Sequence, residues 1–312
     1  LRQAGMDYAR RFFRAVQGFQ GAVIVEFFAP VDRDYMAELA AALPNFYVEF
    51  SPESHDPQVR RASGKPYSNA EIEQTIAACL DAGARRFDLF FMIGLSQQTP
   101  DSALATVDYC RDLLARFDGD SDGRLMPFTA PLAPFLDPGS LAYERAEHYG
   151  YIRRATTLEA HRQLLLAPTW KDMLSYETRW MNRETLADVT YEAGRRLNRL
   201  KREMRLISVE MAAETEARIA QARVLMDEIA SLQARLDGPA FGAALMDLKP
   251  RIDRANTSTV CDKSELDVDV GLVPFKLVNL ARIGLGLERR RRDDPPNLTP
   301  HTGRSAPHPS DV

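Results

Sequence analysis

Apolar residues follow two rhythms along this chain. In the first half, short apolar runs alternate with segments of helical period. In the second half only the helical period remains. Tyr8, Phe12, Phe13 and Val16 fall near one face of a helix over Tyr8–Val16, which Gly18 and Gly21 break. Ala22–Phe28 is nearly continuous in apolar residues, as expected of a strand buried on both faces of a parallel sheet. Pro30 ends it. A helix over Asp32–Leu43 follows, with Asp32 as its cap, and Phe46–Phe50 is the next strand.

Ser51 to Ser68 is polar and rich in turn residues. Ser68 with Glu71 forms a capping box for a helix that runs to Ala82, with Gly83 just past its end. Phe87–Ile93 is a third strand, Gly94–Pro100 a loop, Asp101–Phe117 a helix and Arg124–Phe128 a fourth strand. Such alternation implies parallel strands joined by right-handed crossovers, hence an α/β layer or barrel. Four strands are too few to close a barrel. Either the sheet is open or part of the barrel is missing.

From about Thr156 the pattern is helical without strands. Helices are expected over Thr157–Leu166 and Thr185–Arg205. Leu197, Leu200, Met204, Ile207 and Met211 form a seam, extended less regularly by Ile219, Met226, Ile229, Leu232 and Leu236 until Gly238-Pro239 stops it. A helical hairpin packed on the barrel or on itself explains the seam better than a dimerising coiled coil. The expected organisation is a partial (β/α) barrel over 1–150, a helical region over 151–287 and a disordered tail over 288–312, where an Arg run and prolines replace the apolar period.

Composition narrows the function. Of the 312 residues, 45% are hydrophobic and 27% charged, enough apolar surface for a real core. A net charge of −4 gives no basic face for nucleic acid. No stretch of about 20 apolar residues would span a membrane, and no signal peptide is visible. Cys79, Cys110 and Cys261 are far apart, so they make neither a zinc cage nor a cluster site; unpaired thiols fit a reducing cytoplasm. Cys79 and Cys110 fall within helices and read as small buried apolar residues. The turn Asp118–Gly123 is calcium-like but lacks the closing Glu.

In parallel α/β folds, ligands bind at the carboxyl ends of the strands. That rule selects Glu49–His55, Gly94–Thr99 and Pro127–Gly139. Singly these are weak signals: Glu49 and Glu53 also read as solvated acids, Gly94 as a tight turn and His55 as a structural histidine.

Together they resemble a family. Val48-Glu-Phe-Ser-Pro-Glu-Ser54, Val59-Arg-Arg61, Gly64-Lys65, a helix ending Asp81-Ala-Gly83, Phe87–Leu95 and Gln98-Thr-Pro100 are similar to the fourth and fifth strands of radical S-adenosylmethionine (radical SAM) enzymes, and Ala133–Gly139 resembles the turn after the sixth. Ser51-Pro-Glu-Ser-His55, Trp170-Lys171, Tyr176-Glu177, Trp180-Met181 and Cys261-Asp-Lys-Ser-Glu265 resemble the cobalamin-binding type. The resemblance implies S-adenosylmethionine, a 4Fe-4S cluster and cobalamin as cofactors, with a reductant protein as partner. It implies an α/β fold of partial (β/α)-barrel type.

The resemblance assigns Glu53 and Ser54 to the ribose or amino acid part of S-adenosylmethionine, with Glu49 and Ser51 sharing the site. It sets Phe91 and Ile93 against adenine, with Gly94 allowing close approach. Gln98 stands where many members have Glu, and Ser96 and Gln97 replace the usual Pro and Gly. The family's CxxxCxxC motif is absent, as are its glycine motif and cobalamin domain. The expected parent is a longer enzyme that methylates or rearranges an unknown substrate, with the missing parts upstream of Leu1. Two other readings are a non-catalytic helical interaction protein with a vestigial half-barrel, and an aldolase-like barrel, against which the lack of a strand-end Lys counts.

Overall fold

The computed structural model describes residues 4–19, 21–117, 123–131, 136–255 and 261–267. Its first half alternates helices and strands: α1 (Met6–Val16), β1 (Val23–Phe27), α2 (Arg33–Ala42), β2 (Phe46–Glu53), α3 (Pro57–Ala62), α4 (Asn69–Asp81), β3 (Phe87–Ile93), α5 (Pro100–Phe117) and β4 (Leu125–Pro131). The four strands are parallel and lie in the order β1-β2-β3-β4. Each crossover therefore steps one strand in the same direction. That is the winding of a (β/α) barrel; a doubly wound sheet would reverse. The architecture is α/β.

Local chemistry sets the helix ends. The Asp32 side chain accepts the Tyr35 N–H, and Ser68 and Glu71 close a full capping box on α4. Gly83 takes φ 91°, the left-handed turn that ends α4. The polar stretch after β2 holds the unexpected helix α3. Its signal was present in Asp56-Pro57: an aspartate cap followed by proline at the first helical position.

One face of the sheet carries Val48, Phe50, Leu89, Phe91 and Ile93, all buried with Tyr35, Met36, Leu39, Ile72, Ile76 and Leu113 of α2, α4 and α5. The opposite face carries Ile24, Glu26, Glu49, Asp88 and Phe90. The register confirms that Glu26, Glu49 and Asp88 lie side by side. β1 differs from its expected burial on both faces: Ile24 is 46% exposed, because β1 is the sheet's edge and only its odd residues meet α2.

After β4 come α6 (Leu141–Glu144), β5 (Tyr151–Arg153), α7 (Leu158–Leu164), α8 (Trp170–Met173), β6 (Tyr176–Thr178), α9 (Arg183–Glu203), α10 (Val209–Arg235), α11 (Gly238–Ala255) and a final 3-10 turn, Lys263–Leu266. The second half is helical, with one addition: β6 pairs antiparallel with β5. Three-residue strands are too short to show a period. The helical hairpin expected of the seam is found. α9 ends at Glu203, Arg205 takes φ 59°, and Ser208 caps α10, so the chain folds back as a hairpin. Gly238-Pro239 opens α11, where it was expected only to stop α10, since proline suits a first helical turn.

Leu186, Val189, Ala193, Leu197 and Leu200 of α9 join the sheet's own core. Tyr191, Ile219, Ala222, Leu225, Ile229 and Leu248 form a second core between α9, α10 and α11. The calcium-like turn and the tail over 288–312 lie outside the described residues, except Gly123. Among the described residues no helix is long and apolar enough to cross a membrane.

Candidate functional site

β2 does not end as a simple strand. Its register against β3 shifts between Phe50 and Glu53: three steps on β2 match two on β3, a bulge that re-aims the end of the strand. Glu53 then takes φ 68°, and the Ser54 N–H donates to the Pro52 carbonyl at 2.9 Å across it. This tight turn costs a non-glycine residue on the order of 1 kcal/mol. Its result is to aim the Glu53 carboxylate into a cavity of about 400 Å³, within the range of small-molecule sites.

The cavity lies at the carboxyl ends of β2 and β3. Glu53, Met92, Leu95 and Ser96 line one side. Leu136, Asp137, Ser140, Leu141, Tyr149 and Tyr151 line the other. Lys65 reaches Glu53 from the loop after α3: its ammonium donates to Glu53 Oε1 at 2.6 Å and to the Ser51 carbonyl, and lies 5.6 Å from the centre of the Phe28 ring. Both side chains of the pair remain slightly exposed, at 15% and 19%. The pair is thus shielded enough to matter yet open to a ligand.

The loop is braced from beneath by Arg60, which is fully buried. Its guanidinium donates to the carbonyls of Tyr67 (2.7 Å), Ser54 (2.8 Å) and His55 (3.2 Å). Burial lowers the Arg60 pKa, and among the described residues no carboxylate is seen to pair with it directly. The carbonyl dipoles stand in for a counter-ion.

The next loop is held by its own glutamine. Gln98 is fully buried. Its Oε1 accepts the Gly94 and Leu95 N–H groups at 2.8 and 3.3 Å, and its Nε2 donates to the Met92 carbonyl at 3.0 Å. Ser96 uses both its donors: N–H to the Tyr151 hydroxyl (3.1 Å) and Oγ to the Tyr149 carbonyl (2.6 Å). A proline here would lack the first of these bonds. Gln97 adopts φ 64°, a conformation that glycine adopts freely. The two departures from the resembled pattern thus leave a positive-φ turn in place and tie it to β5.

Of the eight residues expected at the site, Glu53 alone lines the cavity. Ser51 contributes its carbonyl to Lys65. Ser54 is buried, its hydroxyl accepting the Asp56 N–H at 3.1 Å. Glu49 lies further down β2, where burial, then Asp88 and Glu26, raise its pKa. Phe91 and Ile93, expected against adenine, are seated instead in the helix-facing core, with Phe91 edge-on to Tyr109. Side chains alternate along a strand, so Met92 is the one that faces the cavity. Gly94 permits a close approach to Tyr176: a Cβ there would lie 3.0 Å from the Tyr176 hydroxyl. Gln98 serves its own loop. His55 Nδ1 is 3.0 Å from Thr106 Oγ1, and burial lowers its pKa.

Lys65, Ser140, Tyr149 and Tyr151 were not foreseen at the site, whereas Asp137 lies in the strand-end segment Pro127–Gly139 that was. Gly64-Lys65 carried a signal only as part of the loop run that resembles the family. The tyrosines come from a segment brought in by tertiary packing and carried none. Residues 132–135 of the expected turn lie outside the described residues.

A 4Fe-4S cluster does not fit the described residues. Cys79 and Cys110 are buried in helices, and burial pushes both thiols up, Cys110 to about 12. Among the described residues no three His, Cys, Asp or Glu side chains converge as metal ligands.

No protein-family model matches the chain. No curated protein matches it either. Among solved structures, it is similar to the radical S-adenosylmethionine methyltransferase TsrM from Kitasatospora setae. The form with tryptophan substrate and a SAM analogue bound is 15% identical over 66% of this chain and 42% of that one, with a TM-score of 0.40. The form with cobalamin and an iron–sulfur cluster bound is 16% identical over 49% and 31%, with a TM-score of 0.36. HemN, the coproporphyrinogen III oxidase of Escherichia coli and a radical SAM enzyme, is 16% identical over 58% and 46%, with a TM-score of 0.31. The chain spans less than half the length of each of these proteins, and likeness at this level does not place it in a family.

Proposed function

We propose that this chain supplies the S-adenosylmethionine-facing wall of a radical SAM enzyme of the cobalamin-linked type, whose reaction is methylation or rearrangement of an organic substrate. The carrying observation is Glu53, which lines a cavity at the strand ends just past a bulge and is paired with Lys65, within the segment whose motifs resemble that family. A zwitterionic, hydroxyl-bearing ligand suits such a pair. Glu53 accepts from an ammonium or from ribose hydroxyls, and Lys65 donates to a carboxylate. Met92, Leu95, Tyr149 and Tyr151 offer an apolar wall for a flat base.

In the family the cluster supplies the electron that cleaves S-adenosylmethionine. The described residues offer such a cluster no seat. The part played by this chain is binding and orientation.

Calorimetry of S-adenosylmethionine binding to the intact protein tests the reading. Glu53→Ala removes one charge-assisted contact, so affinity falls roughly tenfold or more. Affinity equal to that of the unaltered protein overturns the assignment.

A further inference from the structure

The segment Cys261–Asp267 carries a motif that the candidate site does not use. It lies across the start of β3, the middle of β4 and the facing sides of α9 and α10. Glu265 is buried against Lys201 at 2.8 Å, the two side chains being 2% and 3% exposed. Lys201 also sits 4.0 Å above the centre of the Phe128 ring. Asp262 meets Arg218 at 2.7 Å. Arg86 holds the backbone, donating to the carbonyls of Glu265 and of Asp267 (3.2 Å), while its Nε is paired with Asp88 at 2.6 Å.

Three cations from three separate elements thus converge on one short acidic stretch. The stretch is pre-shaped to meet them: Asp262 accepts the Ser264 N–H, and Glu265 Oε1 accepts the Asp262 N–H at 2.7 Å. Cys261 borders a small void lined by Phe128, Asn198 and Lys201.

We infer that residues 261–267 are a latched strap, an acidic peptide bound in cis to a cationic notch formed by Arg86, Lys201 and Arg218, which releases as a unit while the sheet and the helical hairpin stay folded. The geometry gives the latch its asymmetry. Lys201–Glu265 is desolvated, so loss of either partner leaves an uncompensated buried charge, whereas loss of both leaves an apolar contact on Phe128. Arg218–Asp262 is partly solvated and contributes less. The strap covers the amino-terminal end of the polar sheet face, while the candidate cavity lies at the carboxyl ends of the strands. Opening the strap therefore leaves the candidate cavity untouched, and the inference stands independently of the proposed function.

The test is thiol labelling of the full chain with a disulfide reagent, following each cysteine by mass spectrometry. Cys79 and Cys110 are buried in the sheet's core and report global unfolding; Cys261 reports the strap. Lys201→Met and Glu265→Gln should each raise the labelling rate of Cys261 about tenfold or more, with Cys79 and Cys110 still protected. The double variant Lys201→Met/Glu265→Gln, which removes both charges yet keeps an acceptor for the Asp262 N–H, should return Cys261 to within a few-fold of the unaltered rate. Single variants that label Cys261 at the unaltered rate overturn the inference. Where a single variant exposes all three thiols together, Asp262→Asn is read instead. It should speed Cys261 alone, by a few-fold, and an unchanged rate there also overturns the strap.

Discussion

The two faces of the four-stranded sheet are built from the same strands and could hardly differ more. On the helix side, Phe50, Leu89, Phe91 and Ile93 are buried in one continuous apolar core. On the other side, Ile24 is half exposed, and three acids, Glu26, Glu49 and Asp88, stand in register across three strands. Like charges side by side on a sheet destabilise it. The helix side holds the fold together. The other side is shaped for polar contact and leads up the strands to the cavity where Glu53 and Lys65 meet. Stability and function are divided between odd and even residues of the same segments.

A pair of truncations breaks or sharpens that division. Leu89→Ala removes a fully buried side chain from the helix side and should cost about 2–5 kcal/mol in chemical denaturation. Ile24→Ala, on the edge strand of the open side, should cost under about 1 kcal/mol, since much of its side chain is already in water. Equal costs for the two would mean that both faces carry the core.

Gly94→Ala is expected to rank between them. Gly94 has φ 101°, and an added Cβ would lie 3.0 Å from the Tyr176 hydroxyl and 3.1 Å from Leu186 Cδ2. Backbone strain and crowding together should cost about 1–3 kcal/mol. Tyr176→Phe in the same chain should recover only the part due to the hydroxyl, leaving the Leu186 contact and the backbone strain. Full recovery would show that the backbone conformation is unstrained.

What the sequence revealed, and what it concealed, follows the same divide. The helix-facing pattern was legible, because burial imposes a period: Phe87–Ile93 is found as expected, and so is the capping box of Ser68 and Glu71. The site was legible only as a neighbourhood. Phe91 and Ile93 were expected to face adenine because the family resemblance placed that strand at the ligand. Such residues are also what the helix side needs, and a strand of continuous apolar character hides which parity faces which way. The bulge that turns Glu53 inward has no signature in Ser51-Pro52-Glu53. Arg205 follows α9 in a left-handed conformation that glycine normally provides, so the end of the helix expected at Arg205 is found within two residues although no glycine marks it. Tyr149 and Tyr151 reach the cavity through Ser96, some fifty residues earlier in the chain, and no local pattern marks such a contact.

The mildest prediction concerns the charge in the middle of the open face. Glu49 has a pKa raised above 4.5 first by burial and then by Asp88 and Glu26, with Arg86 opposing. The folded state therefore binds a proton on Glu49 more tightly than the unfolded chain does. Its stabilising share is fully present below pH 4.5, the unfolded value, and is lost as pH rises through the higher folded value. Glu49→Gln keeps the size and removes the titration. Its melting temperature should match that of the unaltered chain near pH 4 and exceed it modestly at pH 7, because the group is only partly buried and solvent screens part of its charge. A gain of the same size at both pH values would mean that packing, not charge, sets the cost. A loss at pH 7 would mean that the acid row is held by a cation within the fold. The expected crossover instead marks Glu49 as a carboxylate maintained at the expense of stability, in keeping with the division between the two faces.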